Sequence, residues 1–165
     1  PTSGMAIEGN VGIGTTGPGY VLEVAGVNTA GLTRWNAGSG GSSLFLNHSR
    51  SNTVGTHTIV QSGDGLGAIT FQGSNGTGWD AGAAIYSESD GTPGASNDMP
   101  GRLIFLTTPD GSSGLAERMR ITNAGNVGIG TTGPGYKLEV NGTFRAGASS
   151  MAGNIQLNEY SLLFN

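Results

Sequence analysis

A stretch of twelve residues occurs twice in this chain, and that repetition constrains the fold more than any other feature. Residues 9–20 read GNVGIGTTGPGY, and residues 125–136 repeat them letter for letter, 116 residues further on. The match continues through VLEVAG (21–26) and KLEVNG (137–142), with differences only at 21/137 and 25/141. Upstream, Met5-Ala6-Ile7 answers Met119-Arg120-Ile121, with two extra residues before the second repeat. A repeated segment of this size points to a supersecondary unit that cannot bury its apolar face alone. Its apolar residues alternate: Val11 and Ile13, then Leu22 and Val24, and in the second copy Val127, Ile129, Leu138 and Val140. That is the period of a strand. The unit is predicted as strand, short turn, strand, Pro/Gly turn, strand. Gly12 and Gly14 fall on the opposite face, where they let another backbone approach closely.

Composition explains why such a unit needs company. Gly contributes 32 residues and Pro 6 out of 165, close to the level of low-complexity chains. Leu, Ile, Val and Phe together make about a fifth of the chain, near the lower limit for a self-sufficient core. Disorder is nevertheless disfavoured, because charged residues are only 11% and the net charge is −4. A chain of this kind can order itself if copies of itself complete its core. Three copies around a threefold axis would bury the Val, Ile and Leu faces together.

The same composition excludes several functions. Seven basic residues against eleven acidic ones do not build a nucleic-acid groove. No run of eighteen apolar residues is present, so no membrane-spanning helix is expected. Cysteine is absent, which removes disulfides and thiolate zinc sites. Beginning at Pro1 rather than Met, the sequence reads as a fragment of a longer protein.

Between the repeats, the pattern predicts a larger β module with strands at 31–36, 43–48, 56–62, 68–72, 83–88, 102–108 and 115–121. Asp64-Gly65, Asn75-Gly76, Asp90-Gly91 and Asp110-Gly111 mark tight turns, since these pairs tolerate positive φ. The segment LAERMRI (115–121) also has helix propensity, making it the most ambiguous of the strands. Four segments follow: 1–26, the first β-repeat unit; 27–118, the central β module; 119–142, the second unit; and 143–165, the start of a further β segment.

ERMRITNAGNVGIGTTGPGYKLEVNG (117–142) resembles a junction found in bacteriophage tail-fibre and related virion appendage proteins. The stretches 60–79 and 90–121 resemble the module that precedes that junction. The resemblance implies a trimeric, all-β fibre located on the virion. Many members end in a self-cleaving chaperone domain with a Ser–Lys dyad. Here the only lysine is Lys137, inside the repeat, so that chemistry is not carried over.

Other motifs have plainer explanations beside the functional ones. GIGTTG at 12–17 and 128–133 fits G-x-G-x-x-G, but Gly-Pro-Gly follows where a dinucleotide fold must start a helix. Paired carboxylates suggest glycoside hydrolysis, with Glu88 and Asp90 two residues apart and Asp64, Asp80 and Asp98 in predicted loops. Turn formation explains the Asp-Gly acids without catalysis. His48 and His57 could hold a metal on a threefold axis, yet each is isolated. Trp35, Trp79 and Tyr86 are candidate glycan contacts, because aromatic faces suit the apolar side of a sugar ring, with packing as the plainer reading.

The sequence therefore predicts an all-β, intertwined homotrimeric fibre, with β-spiral or β-prism-like repeats flanking a larger module. Its trimer core is Val11, Ile13, Leu22, Val24, Val127, Ile129, Leu138 and Val140. The expected role is a structural segment of a phage tail fibre, supporting or contributing to attachment to the host surface. No catalytic residue, cofactor or metal is assigned. The expected partners are itself, other fibre or tail proteins, and a host surface glycan or protein. Two rivals are a polysaccharide-degrading tailspike-type enzyme and a cellular surface adhesin or filament subunit.

Overall fold

The structure is a computed structural model that describes residues 9–26, 33, 39–94 and 97–144. Two compact units divide the chain, Pro1–Phe45 and Leu46–Asn165. All regular structure among the described residues is β, with no helix.

In the first unit, β1 (Val11–Ile13) pairs with β2 (Leu22–Val24) in parallel, Val11 opposite Leu22 and Ile13 opposite Val24. Parallel strands usually need a connection of about a dozen residues or more. Here eight suffice, residues 14–21, because the strands are only three residues long and the connection folds directly over β1. Glycine makes that fold-back possible. A Cβ at Gly12 would stand 2.5 Å from the Thr15 carbonyl oxygen. One at Gly14, where φ is +79°, would stand 2.0 Å from the Ala25 oxygen. The close backbone that the alternating glycines admit is therefore the chain's own turn.

The second unit is one six-stranded sheet in sequential order: β3 (Gly65–Ser74), β4 (Trp79–Ser89), β5 (Gly101–Thr107), β6 (Ala116–Ile121), β7 (Val127–Ile129) and β8 (Leu138–Val140). The pairings are antiparallel up to β7, and β7–β8 is parallel, like β1–β2. The second repeat thus continues the central sheet, and β6 supplies the strand that the motif places before it. LAERMRI is a strand: pairing with β5 and β7 on its two sides overrides its helix propensity.

Two predicted strands are corrected. Segments 43–48 and 56–62 contain no strand. Ser and Thr side chains give that backbone other partners. Ser49 Oγ accepts from Thr58 N at 2.9 Å and donates to the Thr56 carbonyl at 3.1 Å, while Gly55 turns the chain at φ +82°. Of segment 31–36 only residue 33 is described, and 145–165 lie outside the described residues. Two of the four dipeptide turns are also corrected. Asn75-Gly76 makes the β3–β4 hairpin, with Asn75 Oδ1 accepting from Thr77 N and Gly78 N, and Gly111 turns β5 into β6 at φ +72°. Gly65 instead opens β3, the turn there being centred on Ser62 and Gly63, and Asp90-Gly91 begins a long β4–β5 connection.

The core of this unit is sparse. Val60, Ala84 and Ile104 are the buried hydrophobic residues among those described.

Candidate functional site

The repeat builds the same cassette twice, down to individual hydrogen bonds. Asn10 Nδ2 donates to the Pro18 carbonyl at 3.1 Å, and Asn126 Nδ2 to the Pro134 carbonyl at 3.1 Å. Glu23 accepts from Gly19 N at 2.7 Å, and Glu139 from Gly135 N at 2.8 Å. Ala25 N donates to the Ile13 carbonyl and Asn141 N to the Ile129 carbonyl, at 2.8 and 2.9 Å. Gly128, like Gly12, lies under its own loop: a Cβ there would meet the Thr131 oxygen at 2.7 Å and Pro134 Cγ at 3.2 Å. Asn and Glu thus anchor the Gly-Pro-Gly turn from two sides, on the glycine face of the strands. No helix follows either GIGTTG, and the turn reading of that motif is the observed one.

The other face of each cassette carries the eight residues assigned to a trimer core. Register brings Val11, Ile13, Leu22 and Val24 onto one face of β1–β2, and Val127, Ile129, Leu138 and Val140 onto one face of β7–β8. None is buried. Ile13 and Ile129 are 56% and 41% exposed, and Leu22 and Leu138 are 62% and 57% exposed.

In the second unit this face extends across the whole sheet, which the sequence reading missed. Ile69, Ile85, Phe105, Met119, Ile129 and Val140 form one in-register row, one residue from each strand. Gly67, Ser87, Leu103, Ile121, Val127 and Leu138 form the next. No member of either row is charged and none is buried. At one corner Leu46 lies against Gly67 and walls a groove of about 330 Å³. The alternation in each strand was visible in the sequence. The alignment of all six strands was not, because bulges at Phe71/Gln72 and Phe105/Leu106 shift the register between the connecting turns and these rows.

Charges gather on the opposite face. Arg102 Nη1 meets Asp90 at 2.7 Å, its Nε meets Glu88 Oε2 at 2.8 Å, and its Nη2 also bonds Glu88. Asp90 accepts a further bond from Asn123 N at 2.8 Å, tying the β4–β5 connection to the β6–β7 turn. Arg120 pairs with Glu117 at 2.6 Å and donates to the Thr132 carbonyl at 2.7 Å. Asp90, read as a turn acid from sequence, is therefore joined with Glu88 as a partner of one guanidinium. Asp64 holds Arg50 at 2.7 Å and accepts from Gln61 N, and Asp80 accepts from Asn75 Nδ2. Burial raises the Asp90 carboxyl, but the Asn123 N–H and Arg102 outweigh it, leaving it below the ordinary 3.8. The Gln61 N–H bond and Arg50 lower Asp64 against an opposing desolvation. Both acids are thus held ionised, the opposite of what a general acid needs.

These shifts fix a pH dependence. A carboxyl lowered on folding adds stability that is complete above its unfolded value and lost as pH falls through the folded one. Melting temperature is expected to fall as pH drops below about 3.8, whereas between pH 5 and 7 the stabilisation from Asp64 and Asp90 is fully present and does not vary. Arg102→Met should cost about 1–3 kcal/mol in urea denaturation and weaken the acid dependence. That is less than for a fully buried pair, because these side chains keep 17–22% exposure. An unchanged stability would deny the cluster its structural role.

The remaining candidates do not converge. Trp79 begins β4 and is 67% exposed, whereas Tyr86 lies seven residues along the same strand, about 23 Å away at strand rise. Tyr86 is half-buried with its hydroxyl over Gly65. Trp35 lies outside the described residues. His48 Nδ1 bonds the Gly65 carbonyl oxygen at 2.8 Å, and no metal-ligating cluster occurs among the described residues.

No family model matches the chain, and no curated protein matches it. Among solved structures it is similar to the carboxy-terminal domain of the bacteriophage T5 L-shaped tail fibre, with 22% identity and a TM-score of 0.48 over 61% of this chain and 36% of that one. It is similar to the same domain carrying its intra-molecular chaperone domain, again with 22% identity and a TM-score of 0.48, over 61% of this chain and 25% of that one. The chain thus spans well under half the length of either.

Proposed function

We propose that this chain is a structural segment of a phage tail fibre, forming part of a trimeric shaft that supports attachment to the host surface. The observation that carries this reading is the doubled cassette. Two nearly identical strand–loop–strand units, each tied internally by the same Asn and Glu bonds, leave their Val, Ile and Leu residues unburied. A unit reused in series, with its apolar face left for other copies, suits a shaft assembled from several chains. The junction's resemblance to tail-fibre proteins supports the same reading. The role needs no chemistry, and Asp64, Glu88 and Asp90 are each engaged by an arginine. Contacts to surface glycans, each weak, gain strength when several fibres engage one cell.

Immunogold labelling tests the placement. Antibody raised against the purified chain is expected to decorate tail fibres of the virion. Label confined to cell-surface filaments would favour the adhesin reading instead.

A further inference from the structure

The chain contains two Asn-Gly pairs, Asn75-Gly76 and Asn141-Gly142, and both are exposed. Asn is a thermolabile residue, and a following glycine has no Cβ to shield its backbone nitrogen. That nitrogen can attack the Asn side-chain amide. Whether it does depends on whether the two groups are free to meet.

At Asn75 they are held apart. Asn75 Oδ1 accepts from Thr77 N at 2.8 Å, Thr77 Oγ1 at 2.9 Å and Gly78 N at 2.7 Å. Its Nδ2 donates to Asp80 at 2.9 Å, and Gly76 N donates to Ser74 Oγ at 3.3 Å. The amide is thereby fixed toward the residues that follow Gly76. Attack requires these bonds to break together, and with them the β3–β4 hairpin.

Asn141 is held far less. Its Nδ2 donates to the Gly130 carbonyl at 3.2 Å, while among the described residues its Oδ1 and the Gly142 N–H have no partner. Gly142 lies just past β8, exposed, with φ +143°. The first cassette supplies an internal comparison. Position 25, which matches 141, is Ala, and Ala25 N bonds the Ile13 carbonyl as Asn141 N bonds that of Ile129. The cassette backbone therefore closes without an amide side chain. One of the two differences between the repeats is thus the one that introduces the reactive pair.

We infer that Asn141 is a self-modifying site, converting to aspartate or isoaspartate and loosening the end of β8. Gly142 N forms a bond to Asn141 Cγ, the Cγ–Nδ2 bond breaks, and ammonia leaves with the Gly142 amide proton. Water then opens the cyclic imide at either carbonyl, with no change of oxidation state. The product carboxylate has no hydrogen to offer the Gly130 carbonyl and repels its oxygen. A tie across the cassette becomes a repulsion, and isoaspartate also adds a methylene to the backbone.

The test incubates full-length wild type and Asn141→Ala in mildly alkaline, heavy-oxygen water, with and without urea. Peptide mapping by mass spectrometry follows the label at each pair. In the folded chain Asn141 is expected to convert at least about tenfold faster than Asn75, whose release breaks several more ordinary hydrogen bonds. Urea should close that gap, because both pairs are then free. Asn141→Ala is expected to fold, as the Ala25 cassette does, and to take up no label at position 141. In Asn141→Asp, exchange protection of the residue-141 amide, which bonds Ile129, should fall several-fold. Equal conversion of the two pairs in the folded chain, or a tenfold gap that persists in urea, would overturn the site. Undiminished protection in Asn141→Asp would overturn the loosening of β8.

Discussion

Ile129→Asp is expected to abolish assembly, whereas Thr132→Asp, three residues away, leaves it intact. Ile129 sits on the uncharged row, paired with Met119 on one side and Val140 on the other. In the proposed trimer its replacement brings three carboxylates together near the axis without water. Burying unpaired charge of this kind costs about 3–5 kcal/mol per copy, and mutual repulsion adds to it. Thr132 is exposed in the Gly-Pro-Gly loop, and only its carbonyl is engaged, by Arg120. Exposed substitutions of that sort usually change stability by under about 0.5 kcal/mol. Thermal melting and elution from a sizing column read the difference. Equal assembly of the two variants would show that Ile129 faces solvent.

Gly128→Val is expected to cost about 2–4 kcal/mol, through overpacking rather than charge. The added side chain begins 2.7 Å from the Thr131 carbonyl oxygen and 3.2 Å from Pro134 Cγ, so the crossover loop must lift off β7. Lifting it breaks the Asn126–Pro134 anchor and moves β8 from its register. Gly133→Ala is the matched control: nothing lies within 4 Å of its Cβ, and its φ is not positive. It should be neutral within about 0.5 kcal/mol. Urea denaturation of the pair distinguishes a glycine required by contact from one required only by the turn. Equal stability of both would mean that the loop does not pack on Gly128.

How much of this was legible in the sequence differs by element. The cassette strands were, because period-two alternation of Val127, Ile129, Leu138 and Val140 and the Gly-Pro-Gly turn leave few alternatives. β4 and β5 were found to within a few residues for the same reason. Segments 43–48 and 56–62 were not, since their Ser and Thr side chains satisfy the backbone locally and nothing in an alternation pattern shows that competition. The pairing of Glu88 and Asp90 with one guanidinium was missed because Arg102 is distant in sequence and reaches them only through the β4–β5 register. The extended apolar face was hidden for a related reason. Alternation reveals which residues share a face of one strand, whereas register and bulges decide which faces align.

The central claim, that copies of this chain complete one another's core, is tested most directly by light scattering on the purified full chain. The predicted result is a stable species of about 50 kDa, three times the 16.5 kDa chain, unchanged on dilution through the micromolar range. A folded, cooperatively melting monomer of 16.5 kDa would contradict it.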